Sequence, residues 1–142
     1  MEESKPQIPN PNEIPTPKPQ QIPNAQPGKA RKPYDLRDRT FEFAVRILEI
    51  AAALPPHGYG KIADQVARSG SSVGANIEEA DGAVSRADKR KSFVTARKEA
   101  REARYWLRLI DRTLGKKVPV RADIEEASEL VYILSAIISK LE

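Results

Sequence analysis

From Tyr34 to Glu142, apolar and small residues recur at alternating steps of three and four, the spacing that aligns side chains along one face of an α-helix. Four such segments follow one another. The first, from near Leu36 to Leu54, carries two apolar rows, Phe41/Ala44/Leu48/Ala51 and Phe43/Ile47/Ile50/Leu54. So wide a stripe predicts burial on more than one side, in the chain's own core or against another subunit. Asp35 or Asp38 can cap its start, and Pro55-Pro56-His57-Gly58 stops it.

The second segment begins near Tyr59 and ends around Gly82, with the seam Ile62, Val66, Ser69, Val73, Asn76, Ala80. The third opens with Ser85 as a capping oxygen and Asp88 three residues on, an approximate capping box. Its seam, Phe93, Ala96, Ala100, Ala103, Leu107, Ile110, Leu114, is the most regular heptad alternation in the chain, and Gly115 is the expected stop. The fourth follows Pro119 and places Asp123, Glu125 and Glu126 in its first turns, where the helix dipole favours anions. Its seam is Ile124, Ala127, Val131, Leu134, Ile138, Leu141. Short connections make consecutive helices antiparallel neighbours, so the pattern predicts an all-α, up-down-up-down four-helix bundle over residues 34–142.

Gly70 and Gly74 interrupt the second helix, each at a cost of about 1 kcal/mol relative to alanine. Close approach of a neighbouring helix would compensate, and Asn76 on the seam is suited to fixing register through a buried hydrogen bond. The glycine spacing is not that of a phosphate-binding loop, because no Gly-Lys-Ser/Thr follows and no strand precedes it.

Charge placement changes the picture on the third helix. Arg90, Arg97, Arg101, Arg104 and Arg108 occupy the two heptad positions on one flank of its seam, forming a cationic ladder. Glu99, Glu102 and Trp106 occupy the other flank. A ladder on a rigid helix can track phosphates with a salt-dependent, sequence-independent affinity. The alternative is that these arginines are already paired, with Glu78, Glu79 and Asp81 on the neighbouring helix or with another subunit. No base-reading module accompanies them.

Catalysis is not expected. Di-metal carboxylate bundles need Glu-x-x-His on two helices, and the single histidine, His57, lies in a turn. Nucleophile triads fail for the same reason, and with no cysteine there is neither disulfide nor thiolate metal site. No cofactor or metal is expected.

Nine of the twelve prolines precede Tyr34, with the near-repeat Gln7-Ile8-Pro9-Asn10 and Gln21-Ile22-Pro23-Asn24. Residues 1–33 are therefore expected to be a disordered, extended arm, either a linker or a proline-motif ligand. The net charge of +4 is weak evidence of a partner, because the bundle itself has 19 basic against 17 acidic residues. With no leader-like N-terminus and no long apolar run, a cytoplasmic protein without membrane contact is expected.

At Ser71-Ser72-Val73-Gly74-Ala75-Asn76-Ile77-Glu78-Glu79-Ala80, Ser85 and Glu102-Ala103-Arg104-Tyr105-Trp106-Leu107-Arg108-Leu109-Ile110, the chain resembles the four-helix-bundle family of 23S rRNA-intervening-sequence proteins. Asp35-Leu36 and Arg39-Thr40-Phe41-Glu42-Phe43-Ala44 match the family's start. The resemblance implies a bacterial, non-enzymatic bundle that assembles into a ring, commonly a pentamer. It also implies a fold similar to the accessory variability protein of diversity-generating retroelements, which binds a reverse transcriptase and nucleic acid. Many members have Asn-Ile-Ala-Glu-Gly where this chain delays its glycine to Gly82, so the second helix is expected to run slightly longer.

Three partners follow as expectations. One is a second copy of the chain, met through Phe43, Ile47, Ile50, Trp106 and Leu109. Another is RNA or DNA on the arginine ladder. The third is a protein partner, for which the chain would act as an adaptor.

Overall fold

The computed structural model describes residues 35–142, which form four α-helices joined by short turns. The expected proline-rich arm lies outside the described residues. Helix α1 spans Leu36–Ala53, α2 Gly60–Asp81, α3 Arg86–Leu114 and α4 Arg121–Lys140. Each helix packs against its chain neighbours, while α1 and α4 meet over a short stretch only, giving the up-and-down order the pattern predicts.

Local chemistry accounts for most of the helix ends. The Asp35 carboxylate accepts from the Asp38 amide at the start of α1, and the Ser85 hydroxyl accepts from the Asp88 amide at the start of α3. After α1, a single 3-10 turn at Pro55–His57 leads to Gly58 at φ 84°, a left-handed conformation that glycine adopts without steric cost. Gly82 caps α2, as its delayed position in the sequence suggests.

Gly115 caps α3 as expected, but at φ −61° and so without a left-handed turn; glycine suits the position because a β-carbon would meet the Asp111 carbonyl oxygen. The chain turns instead where the amides of Lys117 and Val118 both donate to the Leu114 carbonyl, and Val118 and Val120 are drawn into the core. Helix α4 has no side-chain cap, because Val120 holds the capping position.

The core is built from Phe43, Ile47, Ile50 and Leu54 of α1 and the α3 seam from Phe93 to Ile110. Val66, Val73 and Ile77 of α2 and Leu130, Leu134 and Ile138 of α4 complete it. The α3 seam is as the pattern predicts, although Leu114 is only half-buried. On α2 the buried line runs through Ala63, Gly70 and Ile77, with Ile62 and Asn76 beside it. On α4 it runs through Leu130, with Ile124 and Val131 beside it. Two fully buried hydroxyls, Thr40 and Ser69, donate to the Leu36 and Gln65 carbonyls one turn back, so neither is left unsatisfied.

Candidate nucleic-acid interface on the third helix

Helix α3 lies against α4 in an exact heptad register. Arg90 meets Glu142 at 3.2 Å, Arg97 the Ser135 hydroxyl at 3.3 Å, Arg104 the Ser128 hydroxyl at 3.4 Å, and Asp111 meets Arg121 at 3.4 Å. Each step of seven along α3 is answered by a step of seven back along α4, as expected for two antiparallel helices with a shared repeat. The five-arginine ladder thereby divides into two rows.

Arg90, Arg97 and Arg104 form the inner row, leaning on α4. Only Arg90 meets a carboxylate there, so its charge is neutralised and it leaves the candidate interface. Arg97 and Arg104 are held by neutral hydroxyls and keep their full charge. Arg101 and Arg108 form the outer row, both exposed, with no hydrogen-bond or ion-pair partner among the described residues.

Among the described residues, the alternative pairing of the ladder with Glu78, Glu79 and Asp81 of α2 does not occur. Glu78 and Asp81 instead hold Arg37 of α1 at 3.0 and 3.5 Å, and the hydrogen bond to Glu78 raises the Arg37 pKa above its ordinary value. On the opposite flank of α3, Glu99 and Glu102 are taken by Arg68 of α2. Glu78, Asp81, Glu99 and Glu102 are thus each paired with an arginine of α1 or α2 and not with the ladder.

Sequence reasoning centred on arginine missed a third row. Lys91, Lys98, Tyr105 and Arg112 occupy the heptad position next to Arg101 and Arg108, and all are exposed. Their signal was the same heptad that located the arginines. Together, Lys91, Lys98, Arg101, Arg108 and Arg112 make a cationic stripe about 30 Å long, from the rise of 1.5 Å per residue, interrupted by one aromatic ring. At the C-terminal end of α3 the stripe runs into a shallow groove of about 670 Å³ at the α3–α4 turn, where Arg112, Lys116, Lys117 and Arg121 gather.

The remaining sites predicted from sequence separate cleanly. Gly70 is buried against Ile47, and Gly74 faces the Thr40 backbone. Asn76 corrects its expected role: its amide donates to the Ser72 carbonyl of its own helix at 2.8 Å, so it does not fix register between helices. Phe43, Ile47 and Ile50 are likewise corrected as an oligomer face. At 3%, 0% and 0% exposure they are consumed by the chain's own core. Of the other α1 row, Phe41 is 65% and Leu48 52% exposed with Val45 beside them, while Ala51 at its end is buried. Trp106 is half-buried against the core, its indole nitrogen without a partner, and Leu109 remains partly exposed.

A buried ion pair escaped the sequence reading altogether. Arg46 of α1 reaches Asp123 of α4 at 3.0 Å, both almost inaccessible, and Glu126 holds Arg39 at 2.7 Å beside it. Two of the three first-turn acids of α4 expected to serve the dipole, Asp123 and Glu126, thus tie α4 to α1. Burial pushes the Asp123 carboxyl above its ordinary value, with Arg46 pulling the other way, and its second oxygen has no partner.

Among the described residues no group of acidic, histidine or cysteine side chains is arranged to hold a metal ion, and no helix is long and apolar enough to cross a membrane. Residues 32–138 match the family model of the 23S rRNA-intervening sequence protein. The chain is similar to a crystal structure from Bacteroides thetaiotaomicron VPI-5482, described as a protein of unknown function from the S23 ribosomal protein family. The two share 35% sequence identity with a TM-score of 0.65, over 72% of this chain and 97% of that one. No curated protein matches the chain.

Proposed function

The chain belongs to the 23S rRNA-intervening sequence protein family, and from that membership we propose that it is a non-enzymatic, self-associating helical bundle that binds nucleic acid without base specificity. The observation that carries this reading is the outer face of α3. Five exposed cations stand there with no carboxylate partner among the described residues, and the adjacent acids Glu99 and Glu102 are turned toward Arg68. A row of like charge that is left unpaired is suited to a polyanion, because each phosphate contact releases condensed counterions.

Backbone contact is favoured over base reading because the four-helix arrangement of the described residues contains none of the modules that set a recognition helix into a groove. Self-association is supported by the outward row Phe41, Val45, Leu48, which is exposed among the described residues.

The test is anisotropy of a labelled oligonucleotide under increasing salt. Binding is expected at low salt, with log affinity falling linearly in log salt by about 0.7 to 0.9 per phosphate contacted. The double variant Arg101→Glu/Arg108→Glu is expected to abolish it. Absence of binding at low salt, or an unchanged affinity in that variant, defeats the proposal.

A further inference from the structure

Resting on the nucleic-acid reading, we infer that the face of α3 takes single-stranded nucleic acid in preference to duplex, with Tyr105 as a stacking platform for an unpaired base. Tyr105 sits inside the cationic stripe, with Arg101 one turn before it and Arg108 one turn after it. Residues so spaced are neighbours on a helix surface. Tyr105 is 54% exposed, and its ring stands edge-on to Trp106, with centroids 5.2 Å apart and planes at 78°. Trp106 is itself packed against the core and so props the tyrosine from one side.

This arrangement matches the physical demands of one ligand. The bases of a duplex are stacked on each other and have no face to offer a side chain on a convex helix, so Tyr105 adds nothing to duplex contact. An unpaired base can lie on the ring while the guanidinium groups on either side engage the flanking phosphates. Every base has a π-face, so such a site is tolerant of sequence. An acidic peptide would meet the same charges, but only a nucleic acid carries a π-face beside each of its phosphates. Stacking and phosphate contact make no demand on the ribose 2′-hydroxyl, so RNA and DNA single strands are expected to bind alike.

The experiment compares oligo(dT), oligo(rU) and a mixed-sequence duplex, each of about twelve units, a length within the range of known single-strand sites. The full chain is used at low salt. The single strands are expected to bind tighter than the duplex. Tyr105→Ala is expected to weaken both single strands about tenfold, the lower range for loss of one stacked base, and to leave duplex affinity unchanged. Tyr105→Phe should retain wild-type affinity, because the ring and not the hydroxyl makes the contact. Trp106 is the only tryptophan in the chain, and its emission should change on adding single strand and not on adding duplex.

Equal affinity for single strand and duplex, an equal loss of both in Tyr105→Ala, or equally effective competition by poly-glutamate would each overturn the inference. The first two leave the basic-face reading standing. Failure of all three oligonucleotides to bind would overturn that reading as well. A thermal melt of Tyr105→Ala matching the wild type separates lost stacking from lost folding.

Discussion

Gly70 of α2 faces Ile47 of α1 so closely that a β-carbon on the glycine would lie 2.5 Å from Ile47 Cγ2 and 2.7 Å from Cγ1. This contact explains why a residue unfavourable to helices persists in the interior of α2. The nearest atoms belong to a branched side chain that is itself fully buried, so it cannot swing aside.

Gly70→Ala is therefore expected to destabilise the bundle. The gain of about 1 kcal/mol in helix propensity is outweighed by overpacking of about 1–3 kcal/mol, a net loss of up to about 2 kcal/mol by urea unfolding. In the Ile47→Ala background the same change should be harmless or stabilising, a coupling that a double-mutant cycle reads directly.

Gly74 gives the opposite expectation. A β-carbon there would meet the Thr40 backbone at 3.4 Å, ordinary contact distance. Gly74→Ala should be neutral or raise stability by up to about 1 kcal/mol, so a loss comparable with that of Gly70→Ala would refute the assignment of close packing to Gly70.

Asp123 makes stability depend on pH. Its carboxyl value is raised in the folded chain, so between the ordinary and the raised value the folded state holds a proton that the unfolded state has lost. Stability contributed by Asp123 is therefore full below the ordinary carboxylate range and is lost as pH rises through the folded value. Urea midpoints from about pH 3 to pH 7 should show the wild type losing stability relative to Asp123→Asn as pH rises.

At neutral pH, Arg46→Met should cost about 3–5 kcal/mol, because it strands a buried carboxylate. The double variant Arg46→Met/Asp123→Leu should recover most of that loss, since apolar replacement of a buried pair is often neutral or favourable. Equal unfolding midpoints for the single and double variants would contradict this account.

Arg90 and Arg101 should differ in solution despite similar places in the sequence. Arg90→Gln is expected to leave nucleic-acid affinity and its salt slope unchanged, because Glu142 already meets that charge. Arg101→Gln should lower the affinity and reduce the slope by about 0.7 to 0.9, the contribution of one phosphate contact.

The exposed row of α1 gives the oligomer prediction. Phe41→Ser/Leu48→Ser should shift the mass seen by light scattering toward the 15.8 kDa of one chain while preserving the helical melt. Phe43→Ser should instead unfold the chain, because that ring is in the core. A wild-type mass of 15.8 kDa at micromolar concentration would remove self-association from the proposal.

The sequence by itself determined the four helices, the Asp35 and Ser85 caps and the α3 seam, because periodicity and capping depend on residues within a turn or two of each other. Only the tertiary structure decided that Phe43, Ile47, Ile50 and Leu54 are all buried while Phe41 and Leu48 face outward, since both rows have helical spacing and the choice depends on where α2 and α4 lie. It likewise decided that Arg90 is neutralised while Arg101 is not, and that Arg46 meets Asp123, 77 residues away. Such pairings follow from the angle and register at which separate helices meet, and residue spacing along one helix carries no record of either.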